Sequence, residues 1–568
     1  MNKKLLISHF LLLISILIIA AFFRLYNLKE FPPGLYPDEA MNGNNALEAL
    51  SSGHILKSLM TFGNSGEGFK VFYPENNGRE GLFINIQAIS VAIFGNFPWA
   101  LRLVSAIFGI LTVLGVYFLA KELFRENPKS EIRNPKQYQN SNVQNQKRFR
   151  ILNFNNWNLF RNSNLEFRNY EVALLSSFLL ATSFWHINFS RIGFRAIMAP
   201  FFLTWALYFL IKSLRNKSFK WMALAGFVFG MGIHSYIAYR ATPLIALVVF
   251  GYWFLKFKEE RKNLAKKFVV FVIFAFIAAL PLFYYFAVHP QDFFGRTGQI
   301  SVFNSPTPIK DLALNIVKTA GMFNFQGDFN WRHNYAGKPE LFWPAGILFI
   351  VGIIIGIYNI FKTSDDKTRT SNQVQNPESE NLEVGRLNFI GDIKFGFWIL
   401  FAWLVAAALP IVISNEGLPH ALRAIIMIPP VFIIAGFGGI WLYEKLRLKF
   451  QSRKFLHLIS YILLLVLASE AYYTYFISWG MNPNTQGAFA QNYADIGKQL
   501  NSLPKELPKY VMVKANGTNV RGIPMPTQTV MFITDTFTPD KQKNKNIFYV
   551  LPDQINKIPA AAYTVAIE

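Results

Sequence analysis

Eleven long apolar runs, separated by short polar segments, constrain this chain more than any other feature. A helix needs about 20 apolar residues to cross a bilayer, and only helices or closed barrels satisfy their backbone groups there. Runs of this kind fall at 5–23, 99–121, 171–189, 197–212, 221–237, 241–257, 268–287, 342–361, 395–413, 422–443 and 455–478. Water would not tolerate that much exposed apolar surface. The runs predict an α-helical polytopic membrane protein of about 11 transmembrane helices. Lys3 and Lys4 ahead of the first run resemble a signal peptide. The run is long for one and no small-residue cleavage site follows, so it reads as an uncleaved crossing with its N-terminus inside.

Charge sets the expected topology. Lys and Arg number 56 against 33 acidic residues, a net charge of +23. In a soluble protein such an excess would point to nucleic acid. Here the basic residues flank apolar runs, which fits the positive-inside bias and anionic lipid, so no nucleic-acid partner is expected. Alternating eleven crossings from an inside N-terminus places 122–170, 213–220, 258–267, 362–394 and 444–454 in the cytoplasm. All but 362–394 are clearly basic. The apolar segment 82–95 is short, and counting it as a crossing would flip every later basic loop outside, so it reads as interfacial or re-entrant. The chain has no cysteine, which excludes disulfides and thiolate metal sites.

The expected domains are a transmembrane region, 1–478, with outer loops at 24–98 and 288–341, and a small extracytoplasmic α/β domain at 479–568. In the latter a short helix at 488–502 precedes strand-like runs YVMVKA, TVMFIT and IFYVL. Segments 127–169 and 365–388 are rich in Asn, Gln and charge with little periodicity. They read as disordered cytoplasmic insertions.

Polar side chains gather on the expected outer face. The first loop offers Asp38 and Glu39 at the start of a helical pattern, where an Asp also serves as an N-cap. Arg79 and Glu80 directly precede the segment at 82. Arg79 could anchor at the interface or bind a phosphate through its guanidinium fork. Arg191 and Arg195 are four residues apart, hence on one helical face. Asp328, Asn330, Arg332 and His333, with Asn334, fall within seven residues of the long outer loop and suggest a ligand pocket. His420 and Arg423 stand at the mouth of the tenth run. A weaker group contains His234, Tyr236 and Arg240. No glycine-rich nucleotide loop and no HExxH spacing occurs. Together the clusters supply what transfer from a lipid-anchored phosphate needs. Arginines neutralise the leaving phosphate, and a carboxylate deprotonates an acceptor hydroxyl.

Five blocks in order carry a resemblance: PDEA at 37–40, GREGLF at 78–83 followed by FPWALRLVSAIFGILTVLGVYFLAKELF, then SRIGFRA, GDFNWRHN and LPHALRA. They resemble the GT-C glycosyltransferases, in the branch similar to protein O-mannosyltransferases and the aminoarabinose transferase of lipid A. The resemblance implies an inverting enzyme that moves a hexosyl or pentosyl group from a polyprenyl-phosphate donor to a hydroxyl of a protein, lipid or glycan. It implies the plasma (inner) membrane, with the active site on the extracytoplasmic side. Asp38 matches the family's catalytic acid and Glu39 lies beside it. Arg79 sits at a basic phosphate contact, with Arg191, Arg195, His420 and Arg423 as further donor contacts. Glu80, Tyr236, Arg240, Asp328, Asn330, Arg332 and His333 are then pocket residues. Relatives often carry Pro after the basic residue, where this chain has Glu80 and Gly81. Some relatives use a divalent metal near the first-loop acid, which here would be Asp38. The alternatives are a lipid-linked sugar flippase or a glycan ligase. Transporters tend to place ionisable groups mid-membrane between internal repeats, whereas these charges sit at one face and no repeat is found.

Overall fold

The computed structural model describes residues 3–51, 68–125, 165–294, 301–361, 377–414, 417–450 and 452–568. The insertion expected at 127–169 lies mostly outside them, as does the first half, 365–376, of that expected at 365–388. Where the described chain resumes, at 165 and at 377, it is already helical. Among the described residues, nine helices are long and apolar enough to cross a membrane, and three further apolar helices are shorter.

The helices used below are α1 (Lys3–Leu25), α2 (Pro37–Ser51), α3 (Gly81–Phe94), α4 (Pro98–Leu123), α5 (Leu165–Ala181), α6 (Phe184–Phe189), α7 (Met198–Asn216), α8 (Phe219–Gly232), α9 (Pro243–Lys256) and α10 (Arg261–Val288). Then come α11 (Pro308–Gly321), α12 (Trp343–Phe361), α13 (Pro377–Val412), α14 (Ile428–Lys449), α15 (Arg453–Tyr472), α16 (Gln491–Ser502) and α17 (Gln528–Thr534). The nine long helices plus α5 and α8 coincide with the eleven apolar runs. Two runs are broken where single crossings were expected. Run 171–189 divides at Thr182–Ser183, where Ser183 caps α6 through the His186 N–H. Run 221–237 leaves α-helix after Gly232.

The helices alternate between two chemically different ends. At one end Arg215 reaches the carbonyl of Arg125, Lys267 that of Ser213, and Lys217 pairs with Glu260. The termini of α14 and α15 add Arg447, Lys449 and Arg453. The other end holds the polar loops. Arg191 there gathers the last carbonyls around the end of α1, those of Phe23, Tyr26 and Phe31 at 2.8–3.0 Å. A cation belongs at a helix C-terminus, where the final carbonyls lack intrahelical partners. Helix α3 begins and ends at this same polar end. Its Gln87 and Ser90 donate to the carbonyls of Leu101 and Ala100 in the first turn of α4. It runs along that end of the bundle.

Small residues bring helices together where no water-driven force operates between them. Gly226 and Gly230 of α8 are one turn apart. A methyl on either would strike the carbonyl oxygen of Phe271 or Ala275 on α10.

The C-terminal region contains a three-stranded parallel sheet with β3 (Lys509–Val513) central, flanked by β4 (Ile547–Val550) and β5 (Tyr563–Ile567), counting Phe72–Tyr73 and Arg79–Glu80 as β1 and β2. Val511 sits opposite both Tyr549 and Val565. The run TVMFIT, expected as a strand, is helix α17. It is buried nearly all round between α2 and α16, and a continuous apolar run does not distinguish such a helix from a buried strand. Met41 of α2 shares a core with Leu500, Val511, Val530 and Ile567, so the first loop and the C-terminal region form one packed body.

Candidate active site

The polar end encloses a cavity of about 1490 Å³. Of the candidate residues, Asp38, Arg79, Glu80, Arg195, Tyr236 and Arg240 line it from the first half of the chain. Asp328, Asn330, Arg332, His333, His420 and Arg423 line it from the second. Four candidates do not reach it: His234 lies against the Ala278 carbonyl, Asn334 donates to the Lys338 carbonyl, and Arg191 and Glu39 are held elsewhere. Arg191 is fully buried on the carbonyls at the end of α1, with its guanidinium against the rings of Tyr475 and Phe476. Glu39 is fully buried in an ion pair with Arg102 at 3.1 Å and accepts the Gly193 N–H. Arg102 also holds the carbonyls of Pro32 and Gly34 at 2.6 and 2.8 Å. Arg191 and Glu39 therefore clamp the backbone rather than face the cavity. Adjacent residues on a helix point about 100° apart, so Asp38 and Glu39 cannot share one site.

Helix α2 presents Asp38, Asn42 and Asn45 at i, i+4 and i+7, one face of a helix. Asn76 donates to Asp38 Oδ1, which ties the carboxylate to the β1–β2 hairpin. Arg79, in β2, donates to Asn42 Oδ1 at 2.7 Å and Asn45 Oδ1 at 2.5 Å. These partners are neutral amides, so they do not cancel its charge. Burial and then the neighbouring Arg195 guanidinium bring Arg79 down to about 10. That is the signature of a positive region suited to an anion. Glu80 tempers it through a 2.6 Å bond to Arg195. Asn42, Asn45 and Asn76 are not singled out by the sequence reading, although the i, i+4, i+7 spacing of the first two with Asp38 was the available signal.

From the second half of the chain, Arg332 reaches the start of α2, 4.0 Å from the centroid of the Tyr36 ring. Burial and then Asp38 push the Tyr36 phenol up. Asp328 Oδ2 lies 3.0 Å from His333 Nδ1 and 3.7 Å from His420 Nδ1. Burial alone would raise the Asp328 carboxyl, but His333, the Asn330 N–H and His420 together outweigh it and hold the group below the usual carboxylate range. Burial keeps His333 below the usual imidazole range and brings His420 to about 3, so both rings are neutral at pH 7. These three side chains could hold a metal ion. Asp38 belongs to no such group among the described residues.

The C-terminal region supplies part of the wall through Asn516, Gly517, Thr518, Met525 and Pro526. It is fastened to the first loop by Arg521, which pairs with Glu48 and Glu75 at 2.7 Å each. Asn44 donates to Gln528 Oε1 at 2.9 Å nearby.

Two family models match parts of the chain. One, described as dolichyl-phosphate-mannose-protein mannosyltransferase, covers residues 82–129, the stretch that carries the strongest block of the resemblance. The other, described as a domain of unknown function (DUF6311), covers 156–310. No curated protein matches by sequence. Among solved structures, the apo oligosaccharyltransferase of Archaeoglobus fulgidus superposes with a TM-score of 0.51 at 13% identity, over 97% of this chain and 66% of that one. The chain thus spans just under two thirds of that enzyme's length. Apo ArnT from Cupriavidus metallidurans superposes with a TM-score of 0.50 at 13% identity, over 92% of this chain and 83% of that one. The fold is the GT-C polytopic fold of these membrane proteins.

Proposed function

We propose that the chain is an inverting glycosyltransferase that takes a sugar from a polyprenyl-phosphate donor and passes it to an acceptor hydroxyl in the cavity. The observation that carries this reading is one large chamber at the polar end, with the Asp38 carboxylate on one wall and Arg79, Arg195, Arg332 and Arg423 around it. The lipid-phosphate donor is supported by the described activity of the family that matches 82–129. Glycosyl transfer in general is supported by the fold shared with an oligosaccharyltransferase.

In this reading Asp38 accepts the proton of the attacking hydroxyl. The new bond forms between that oxygen and the anomeric carbon while the bond from that carbon to the phosphate oxygen breaks. The phosphate leaves with the bonding pair. Charge grows on it as the bond lengthens, so Arg195 and Arg423 act in the transition state. Arg79 adds charge and fixes the face of α2 that carries Asp38. The active site then faces the extracytoplasmic side of the plasma membrane, because the opposite end of the bundle is the basic one.

The test is to incubate purified protein with a panel of polyprenyl-phosphate sugars and follow released polyprenyl phosphate. Release from at least one donor, dependent on an acceptor, is expected. Release from none, with bound lipid merely crossing between vesicle leaflets, would favour the flippase.

A further inference from the structure

We propose that Asp328, His333 and His420 form a binding site for a transition-metal dication of the zinc, cobalt or manganese kind. Its ligands are Asp328 Oδ2 and the Nδ1 atoms of the two histidines, the metal taking the place of the proton that His333 Nδ1 and Asp328 Oδ2 share in its absence. The three ligand atoms lie within 4.8 Å of one another, and no other such group occurs among the described residues. In a tetrahedral site with bonds of about 2.1 Å, neighbouring ligand atoms stand about 3.4 Å apart. The distances from Asp328 Oδ2, 3.0 Å to His333 and 3.7 Å to His420, bracket that value. The imidazole rings lie 5.0 Å apart and within 26° of parallel.

One carboxylate oxygen, Asp328 Oδ2, faces the Nδ1 atoms of both rings. The Asp328 carboxylate is held in place for this role. Its Oδ1 accepts from the Asn330 N–H at 2.8 Å and its Oδ2 from the Ala421 N–H at 2.9 Å. Bonds of this kind fix a ligand's direction and tune its basicity. Two imidazoles and one carboxylate suit zinc, cobalt or manganese rather than magnesium or calcium, which prefer all-oxygen sets. Both histidines line the cavity, so a fourth position opens into it.

The site stands apart from the proposed reaction and is tested without it. Full-length protein in detergent, stripped with a chelator, is dialysed against cobalt(II) and read by metal content and visible absorption. One cobalt per chain is expected, with band intensity above that of the aquo ion. His420→Ala and His420→Gln are expected to lose the metal and the bands while keeping wild-type helical circular dichroism. Asp38→Asn is expected to keep them. No stoichiometric cobalt in the wild type would overturn the proposal. So would retention by both His420 variants, or loss in Asp38→Asn alone.

Discussion

At the scale of single residues, the chamber separates groups that face its space from groups that build its walls. Arg195 lines it and is partly exposed. On the proposed mechanism Arg195→Ala weakens donor binding and slows turnover by about 10²–10³-fold, the cost of removing a donor to developing negative charge. Arg195→Lys restores part of this, because an ammonium keeps the charge and loses the fork. A steady-state comparison of KM and kcat checks both. Arg102 behaves differently. Arg102→Met leaves Glu39 buried without its cation and should destabilise by about 3–5 kcal/mol, read as a loss of thermal stability in detergent. An unchanged melting temperature would contradict the clamp. The right neighbourhood is legible in the residue types, but this division is not. Glu39 and Arg191 carry the same charges as Asp38 and Arg195. Only the direction of each side chain, set by helix phase and by where α1 ends, decides which reach the cavity.

At the scale of elements, contact between backbones carries a definite expectation. Gly226→Leu should prevent the close approach of α8 to α10 and lower the yield of monodisperse protein. Gly251, with open space around it, should accept Ala. Size-exclusion profiles of Gly226→Leu and Gly251→Ala make the comparison. The clasp between the first loop and the C-terminal region is electrostatic and so depends on pH. Burial would raise the Glu75 carboxyl, and Arg521 more than offsets this and holds it below its usual range. A folded-state value below the unfolded one means the contribution is full above about pH 4.3 and is lost as pH falls through the lowered value. The difference in melting temperature between wild type and Arg521→Ala should therefore shrink below about pH 4.3. A difference that stays constant on further acidification would contradict the assignment. The apolar runs are legible because a membrane crossing has one dominant physical requirement. Helix α17 reads as a strand from sequence because burial on all sides erases the periodicity that tells the two apart.

At the scale of the whole molecule, the alternation between a basic end and a polar end makes a prediction about sidedness. The absence of cysteine makes it simple to test. Single cysteines introduced at Ser141 and Ser502 should label from opposite sides of the membrane with an impermeant maleimide. Labelling from one side would break the alternation. The chamber itself is only partly legible. Its five blocks are visible as polar interruptions, but the contribution of Asn516–Thr518 is not, because a polar surface turn and a cavity wall have the same composition. The central claim is that Asp38 is the carboxylate that drives transfer inside this chamber. Its most direct test measures donor binding and release of polyprenyl phosphate for wild type and Asp38→Asn, using the best donor of the panel. The account predicts near-normal donor binding and a loss of about 10²–10⁴-fold in turnover, since Asn keeps the size and loses the base. If Asp38 serves only to accept the bond from Asn76, Asn accepts it equally well, and near-normal turnover in Asp38→Asn would contradict the account.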